Sequence, residues 1–168
     1  MISAALPTPA AQIGNFRDGG VVFYVDGSGQ HGLVCDIQDL GMLEWGCYGT
    51  LISGADGANI GDGIQNTIDI EAGCGTSGIA ADLCANSTAQ GYNDWFLPSK
   101  DALNELWLNH NAIYFTLIMN GGSGFNADEY WSSTESDALA GWRQIFGTGH
   151  QQGYGKNYIY NVRAVRAF

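Results

Sequence analysis

Short, strand-like runs of apolar residues recur along the chain, and Gly-rich turns separate them. Gly19-Gly20-Val21-Val22-Phe23-Tyr24-Val25 reads as a strand, Asp26-Gly27-Ser28-Gly29 as a turn, and His31-Gly32-Leu33-Val34-Cys35 as the returning strand. Together they predict a β-hairpin with a Gly-containing loop. The same texture returns from Tyr130 onward, through Tyr130–Glu135, Gly141–Gly149 and Val162–Phe168. At period two, Val162, Val165 and Phe168 cannot share one face, so a bulge or twist is expected near Ala164. Helical spacing occurs twice. Ile79 to Ala85 places Ala80, Leu83 and Cys84 inward. Ser99 to about Asn109 follows Pro98, with Ser99 as N-cap, Asp101 in the first turn, and Leu103, Leu106 and Trp107 as an apolar stripe. Residues 36 to 75 read as irregular, rich in Asp, Gly and Asn, and long ordered loops of this kind are usually functional or pinned. Residues 1–15, with Pro7 and Pro9, read as an arm, and 16–168 as one domain.

Composition narrows the function. Six Lys and Arg stand against 17 Asp and Glu, for a net charge of −11. A nucleic-acid partner needs a basic footprint, and an anionic membrane surface attracts basic segments, so neither is expected. Membrane insertion is not expected either, because no run of about 18 apolar residues occurs. Met1 to Ala11 lacks the basic segment of a signal peptide, so the expectation is a mature chain that begins here, another export route, or carriage on a particle such as a virion. Gly is abundant at 25 of 168 residues, as in loop-rich β or α+β domains. The cysteines, Cys35, Cys47, Cys74 and Cys84, form no C-x-x-C pair. Their even number suits two disulfides in an oxidising setting. Cys35–Cys47 and Cys74–Cys84 would each close a short local loop; the alternative is four buried thiols.

Three spaced motifs carry a family resemblance. They are Asn93-Asp94-Trp95-Phe96-Leu97-Pro98-Ser99-Lys100-Asp101, Tyr130-Trp131-Ser132-Ser133-Thr134-Glu135 and Val162-Arg163-Ala164-Val165-Arg166-Ala167-Phe168. With the Gly-Val-Val-Phe-Tyr-Val opening and Gln65-Asn66-Thr67, the chain resembles the C-terminal domain of collagen-like bacterial adhesins. That family is a branch of the C-type-lectin-like fold, related to the formylglycine-generating enzymes and to hypervariable receptor-binding proteins. The resemblance implies an α+β fold: a twisted antiparallel sheet, two short helices and a large irregular loop region. It implies binding rather than catalysis, as in an adhesin, a phage tail-fibre tip or a receptor-binding protein at a cell surface. It also places ligand-facing diversity between Glu135 and Asn161. Fibre tips of this family commonly assemble as trimers, so a homotrimer, or attachment to a fibre or stalk through residues 1–15, is implied as well.

The candidate ligand residues lie in that same stretch. Trp142, His150, Gln151, Tyr154, Lys156, Tyr158 and Tyr160 combine large rigid aromatic area with adaptable hydrogen bonding. Tyr158 and Tyr160 should share one strand face. Trp131 is expected in the core, supporting the hairpins that carry them. Arg163 and Arg166 fall on opposite faces and are expected to pair with carboxylates such as Asp94, Asp101 or Glu135. Asp56, Asn59, Asp62 and Asp69 offer the hard oxygens a structural calcium would use, but their spacing is not that of an EF-hand. Asn93-Asp94-Trp95 also departs from the Trp-Asn-Asp order of calcium-dependent lectins. No other cofactor is expected, and no enzyme. His31, His110 and His150 are far apart in sequence, and no cysteine stands in the C-terminal third, where formylglycine-type chemistry would need one. The expected role is a non-catalytic domain recognising a host-cell glycan or surface protein outside the cell or on a virion. The alternative is a structural decoration or assembly subunit of a virion or extracellular filament.

Overall fold

A computed structural model of the chain describes residues 9–168. Its elements are β1 (Phe16–Arg17), β2 (Gly20–Val25), β3 (Gly32–Cys35), β4 (Gly41–Glu44), α1 (Gly63–Gly73), α2 (Ala80–Ala85), α3 (Lys100–Met119), β5 (Glu129–Glu135), β6 (Ala140–Ile145), β7 (Gln151–Gly155), β8 (Ile159–Val162) and β9 (Val165–Ala167), with a short 3-10 turn at Ala89–Gly91. The architecture is mixed α+β, with two sheets and three α-helices. The first sheet runs β1-β2-β3-β9 and the second β4-β8-β5-β6-β7.

The expected hairpin is β2–β3, antiparallel, with a register shift between Val22 and Tyr24. Its side chains alternate between two cores. Val22 and Val34 face a cluster with Trp45, Ile70, Trp95 and Trp131. Val21, Phe23 and Cys35 face a second cluster with Leu103, Leu106, Ile113 and Leu117 of α3. Both faces of this hairpin are covered, which is why its middle is apolar throughout rather than alternating. The arm expected at 1–15 lies in part outside the described residues. Its described end is anchored: Ala11 N–H donates to Gly29 and Gly14 N–H to Val22.

The terminal run breaks where the period-two conflict is, at Arg163-Ala164, but the cause is larger than a bulge. β8 belongs to the second sheet and β9 to the first, so the chain changes sheets there. β9 pairs with β3 on one side and forms a bridge, Val165 to Phe96, on the other. The motifs behind the family resemblance meet at this seam. Ser133 N–H donates to the Pro98 carbonyl at 2.8 Å, and Lys100 N–H to Thr134 Oγ1 at 2.9 Å.

Three elements depart from expectation. The segment 36–75 holds strand β4 and helix α1. The buried face of α1 is Gly63, Asn66, Thr67 and Ile70, while Ile64 and Ile68 are exposed. Asn66 Nδ2 donates to the Gly57 carbonyl at 2.7 Å and to Ser133 Oγ at 3.1 Å, and Thr67 Oγ1 accepts from Leu97 N–H at 3.1 Å. A helix buried through polar residues carries no apolar stripe to read. Gly63 is needed for the same contact, because a Cβ there would lie 2.6 Å from the Leu97 carbonyl oxygen. α3 starts as expected, with Ser99 Oγ accepting from Ala102 N–H, but runs on past Asn109 to Met119 because Ile113 and Leu117 continue the core face.

The disulfide pairing also differs. Cys47 and Cys74 are bonded, with Cα atoms 5.8 Å apart, while Cys35 and Cys84 are free and buried. Cys35 points from β3 into the core behind α3, and Cys84 points from α2 into the other core. Neither local loop can therefore close. Burial pushes the Cys35 thiol up to about 12, and the Cys84 thiol is likewise raised by burial.

Candidate binding surface

Strand pairing decides which side chains share a face. Arg143 on β6 is opposite Trp131 on β5 and Gln152 on β7, and Tyr154 is opposite Gly141. These residues therefore point to one side of the second sheet, where Tyr160 joins them from β8. Trp131 lies at the bottom, fully buried, its Nε1 donating to the Leu43 carbonyl at 2.9 Å. Its ring meets Tyr160 edge-on at 4.8 Å. Above it the Arg143 guanidinium sits 4.1 Å from the Tyr154 ring centre and 4.7 Å from that of Tyr160. Glu129 pairs with Arg143 Nη1 at 2.5 Å, while the buried Nε has no hydrogen-bond partner. A guanidinium held over aromatic faces with one carboxylate partner is a rigid support.

Tyr158 completes the layer. It stacks nearly parallel to Tyr160, centres 6.5 Å apart, and meets Tyr154 edge-on at 4.9 Å. Tyr158 is 51% exposed, and Gln152, Asn157 and Ile159 around it are exposed too. The result is a shallow aromatic face with amide groups at its rim, fixed from below by Arg143 and Trp131. Burial raises the Tyr160 phenol, with Arg143 acting against it. The Tyr160 hydroxyl is therefore held in its neutral, hydrogen-bonding form.

Of the expected ligand residues, Tyr154, Tyr158 and Tyr160 come together here. The others do not. Trp142 and Gln151 point to the opposite face, toward α3. Lys100 Nζ sits 3.7 Å from the Trp142 ring centre, and Gln151 Nε2 donates to the Lys100 carbonyl at 2.8 Å. His150 is exposed at the β6–β7 turn. Lys156 is not a surface residue at all. Its ammonium is fully buried, pairs with Glu135, donates to the Thr50 carbonyl at 2.8 Å and lies 4.5 Å from the Trp45 ring centre. It holds the β7–β8 turn to the loop before α1. Arg143, whose position between aromatic rings builds the face, was not among the expected ligand residues. Its strand register opposite Trp131 was the available sign.

The other cations are structural, as expected. Arg163 is buried, with Nε donating to Asp39 at 2.6 Å and Nη1 to the Asp36 carbonyl at 2.9 Å. Arg166 pairs with Asp94. In the acidic loop, Asp62 Oδ2 accepts from Asn59 N–H at 2.8 Å, and Asp69 Oδ1 from Gln65 at 3.0 Å. Among the described residues no group of three or more His, Cys, Asp or Glu could hold a metal ion. A cleft of about 230 Å³ lies elsewhere, between Ile64, Ile68, Trp95 and Ala167.

The class thus defined is a two-sheet α+β domain with a supported aromatic face. No family model matches the chain, and no curated protein matches it. Among solved structures, the fold is similar to that of a fimbrial protein from Bacteroides ovatus ATCC 8483, with a TM-score of 0.60 and 13% identity over 92% of this chain. The match takes in 45% of that protein. At this identity the likeness is one of fold.

Proposed function

We propose that this chain is a non-catalytic recognition domain of an extracellular surface appendage, taking a glycan or a surface protein on the Tyr154–Tyr158–Tyr160 face. The observation that carries this reading is the exposed Tyr158 ring on a layer that Arg143 and Trp131 hold in place. Tyr faces flanked by amides bind by stacking and hydrogen bonding at low entropic cost. The extracellular setting is supported by the Cys47–Cys74 disulfide, which persists in oxidising compartments, and by the fold likeness to a fimbrial protein. The finer fold assignment, C-type-lectin-like and akin to the collagen-like adhesin domain, belongs to the same proposal. It is supported by the motifs meeting at one seam. We assign the chain no catalytic step and no cofactor. The acidic net charge of −11 favours a neutral or basic partner over nucleic acid or an anionic membrane.

A second reading is favoured by the fimbrial likeness alone: a structural subunit that contacts only its neighbours in a filament or on a virion, as a homotrimer or through residues 1–15. A glycan array and binding to intact cells separate the two. Recognition predicts selective binding to a group of related glycans or to one cell type. Uniform background on both, with assembly into filaments, would support the structural reading instead.

A further inference from the structure

Helix α3 has two apolar faces. One, formed by Leu103, Leu106, Ile113 and Leu117, fills the core. The other is on the opposite side of the helix and open to solvent. It begins at Leu108 and continues through Ala112, Phe115, Ile118 and Met119, spaced at three, four and seven residues as one stripe. Phe115 is 71% and Met119 67% exposed. The stripe occupies only the C-terminal half of α3; the first turns show Asp101, Asn104 and Glu105 on that side. Gly14 is fixed against this half, its carbonyl accepting from Thr116 Oγ1 at 2.8 Å, and its chain neighbour Ile13 is exposed.

We infer that this outer face of α3 is a self-association surface, on which a second copy of the chain packs the same face about a two-fold axis. The choice of occupant rests on charge. The molecule carries a net −11, yet from Leu106 to Ala127 there is no Asp, Glu, Lys or Arg. Two like-charged copies repel wherever their acids face each other. This uncharged face is where they can meet without that repulsion. A two-fold contact needs a self-complementary patch, and a straight apolar stripe on a helix meets that need by packing ridges into grooves against itself. A basic partner protein would find acids only at the first turns, Asp101 and Glu105, and none along the stripe itself. An anionic membrane would be repelled by the rest of the surface. The exposed apolar side chains amount to roughly 500–600 Å² per copy, the low end of specific interfaces. The association is therefore weak and reversible, and it doubles the recognition faces on one particle.

Sedimentation of the full chain across the micromolar range tests this. The wild type should pass from one chain to two as concentration rises, and the shift should come at lower concentration in high salt, where the acidic repulsion is screened. Phe115→Asp should stay a single chain throughout with an unchanged melting temperature. Leu108→Asp, about two turns away on the same face, should do the same and guards against a local effect of the first variant. A wild type that remains a single chain at every concentration and salt, a particle of another stoichiometry, or a dimer that survives both substitutions would overturn the inference.

Discussion

The Glu135–Lys156 pair shows how a charge can be structural in this fold. Both side chains are out of water, and Glu135 also accepts from Ile52 N–H at 2.9 Å. Breaking a buried pair by removing one partner strands the other charge and costs about 3–5 kcal/mol, whereas replacing both is far milder. Lys156→Met should therefore cost about 3–5 kcal/mol in urea unfolding, and adding Glu135→Gln should recover much of it. A single variant as stable as wild type would show that Glu135 is not stranded. Asp36 gives a pH signature. Burial raises its carboxyl above the ordinary range, against the Gln38 N–H and Arg163, which lower it. The folded state thus binds this proton more tightly than the unfolded chain does. Its contribution to stability is full below the unfolded value and falls as pH climbs through the window up to the raised one. Asp36→Asn keeps the acceptor for Gln38 N–H at 3.2 Å and removes the charge. It should melt higher than wild type at neutral pH, and the gap should close in acid. A gap that is constant with pH would contradict this.

At the scale of elements, β9 is the test of how the two sheets hold together. It gives the first sheet an outer strand, bridges to Phe96 and carries the Arg166–Asp94 pair. Deleting residues 162–168 should leave no cooperative melting transition, and a truncated chain with the wild-type transition would refute the role given to it. Elements whose burial is apolar were legible in the sequence: the β2–β3 hairpin, α2, the start of α3 and the Trp131 core. α1 was not, because Asn66 and Thr67 face inward and Ile64 and Ile68 outward, the reverse of an amphipathic pattern. β4 was hidden for a similar reason. It is an edge strand, exposed at Met42 and Glu44, and its partners in β8 are far away in sequence, Gly41 with Val162 and Glu44 with Ile159. Of the candidate face, the tyrosines were legible from composition. Lys156 was misplaced because one buried cation in a run of polar residues looks like its exposed neighbours. Trp142 and Gln151 were misplaced because adjacent strands turn alternate residues to α3.

For the whole molecule, Cys47–Cys74 ties the start of the loop after β4 to the end of α1, closing 27 residues of sequence. A loop of that length restricts the unfolded chain by about 3–4 kcal/mol in the chain-entropy model. Reduction, or Cys47→Ala with Cys74→Ala, should lower stability by about that amount. Mass mapping of a non-reduced digest should find this one bridge, with Cys35 and Cys84 alkylated only after unfolding. Cys35–Cys47 or Cys74–Cys84 peptides would contradict the packing of both cores.

The proposed recognition face rests on Tyr158, the most exposed ring of its layer. Unlike Tyr154 and Tyr160 it does not pack against the buried core, so its loss should leave that core intact; exposed substitutions usually change stability by no more than about 0.5 kcal/mol. Aromatic anchors in interfaces cost about 2 kcal/mol or more when truncated. The decisive measurement is binding of wild type and Tyr158→Ala to the cells or glycans selected on the array, with the melting temperature recorded for each. At least a tenfold loss of binding with the melting temperature nearly unchanged is the predicted result. Equal binding by the two proteins would contradict the assignment of this face as the site of recognition.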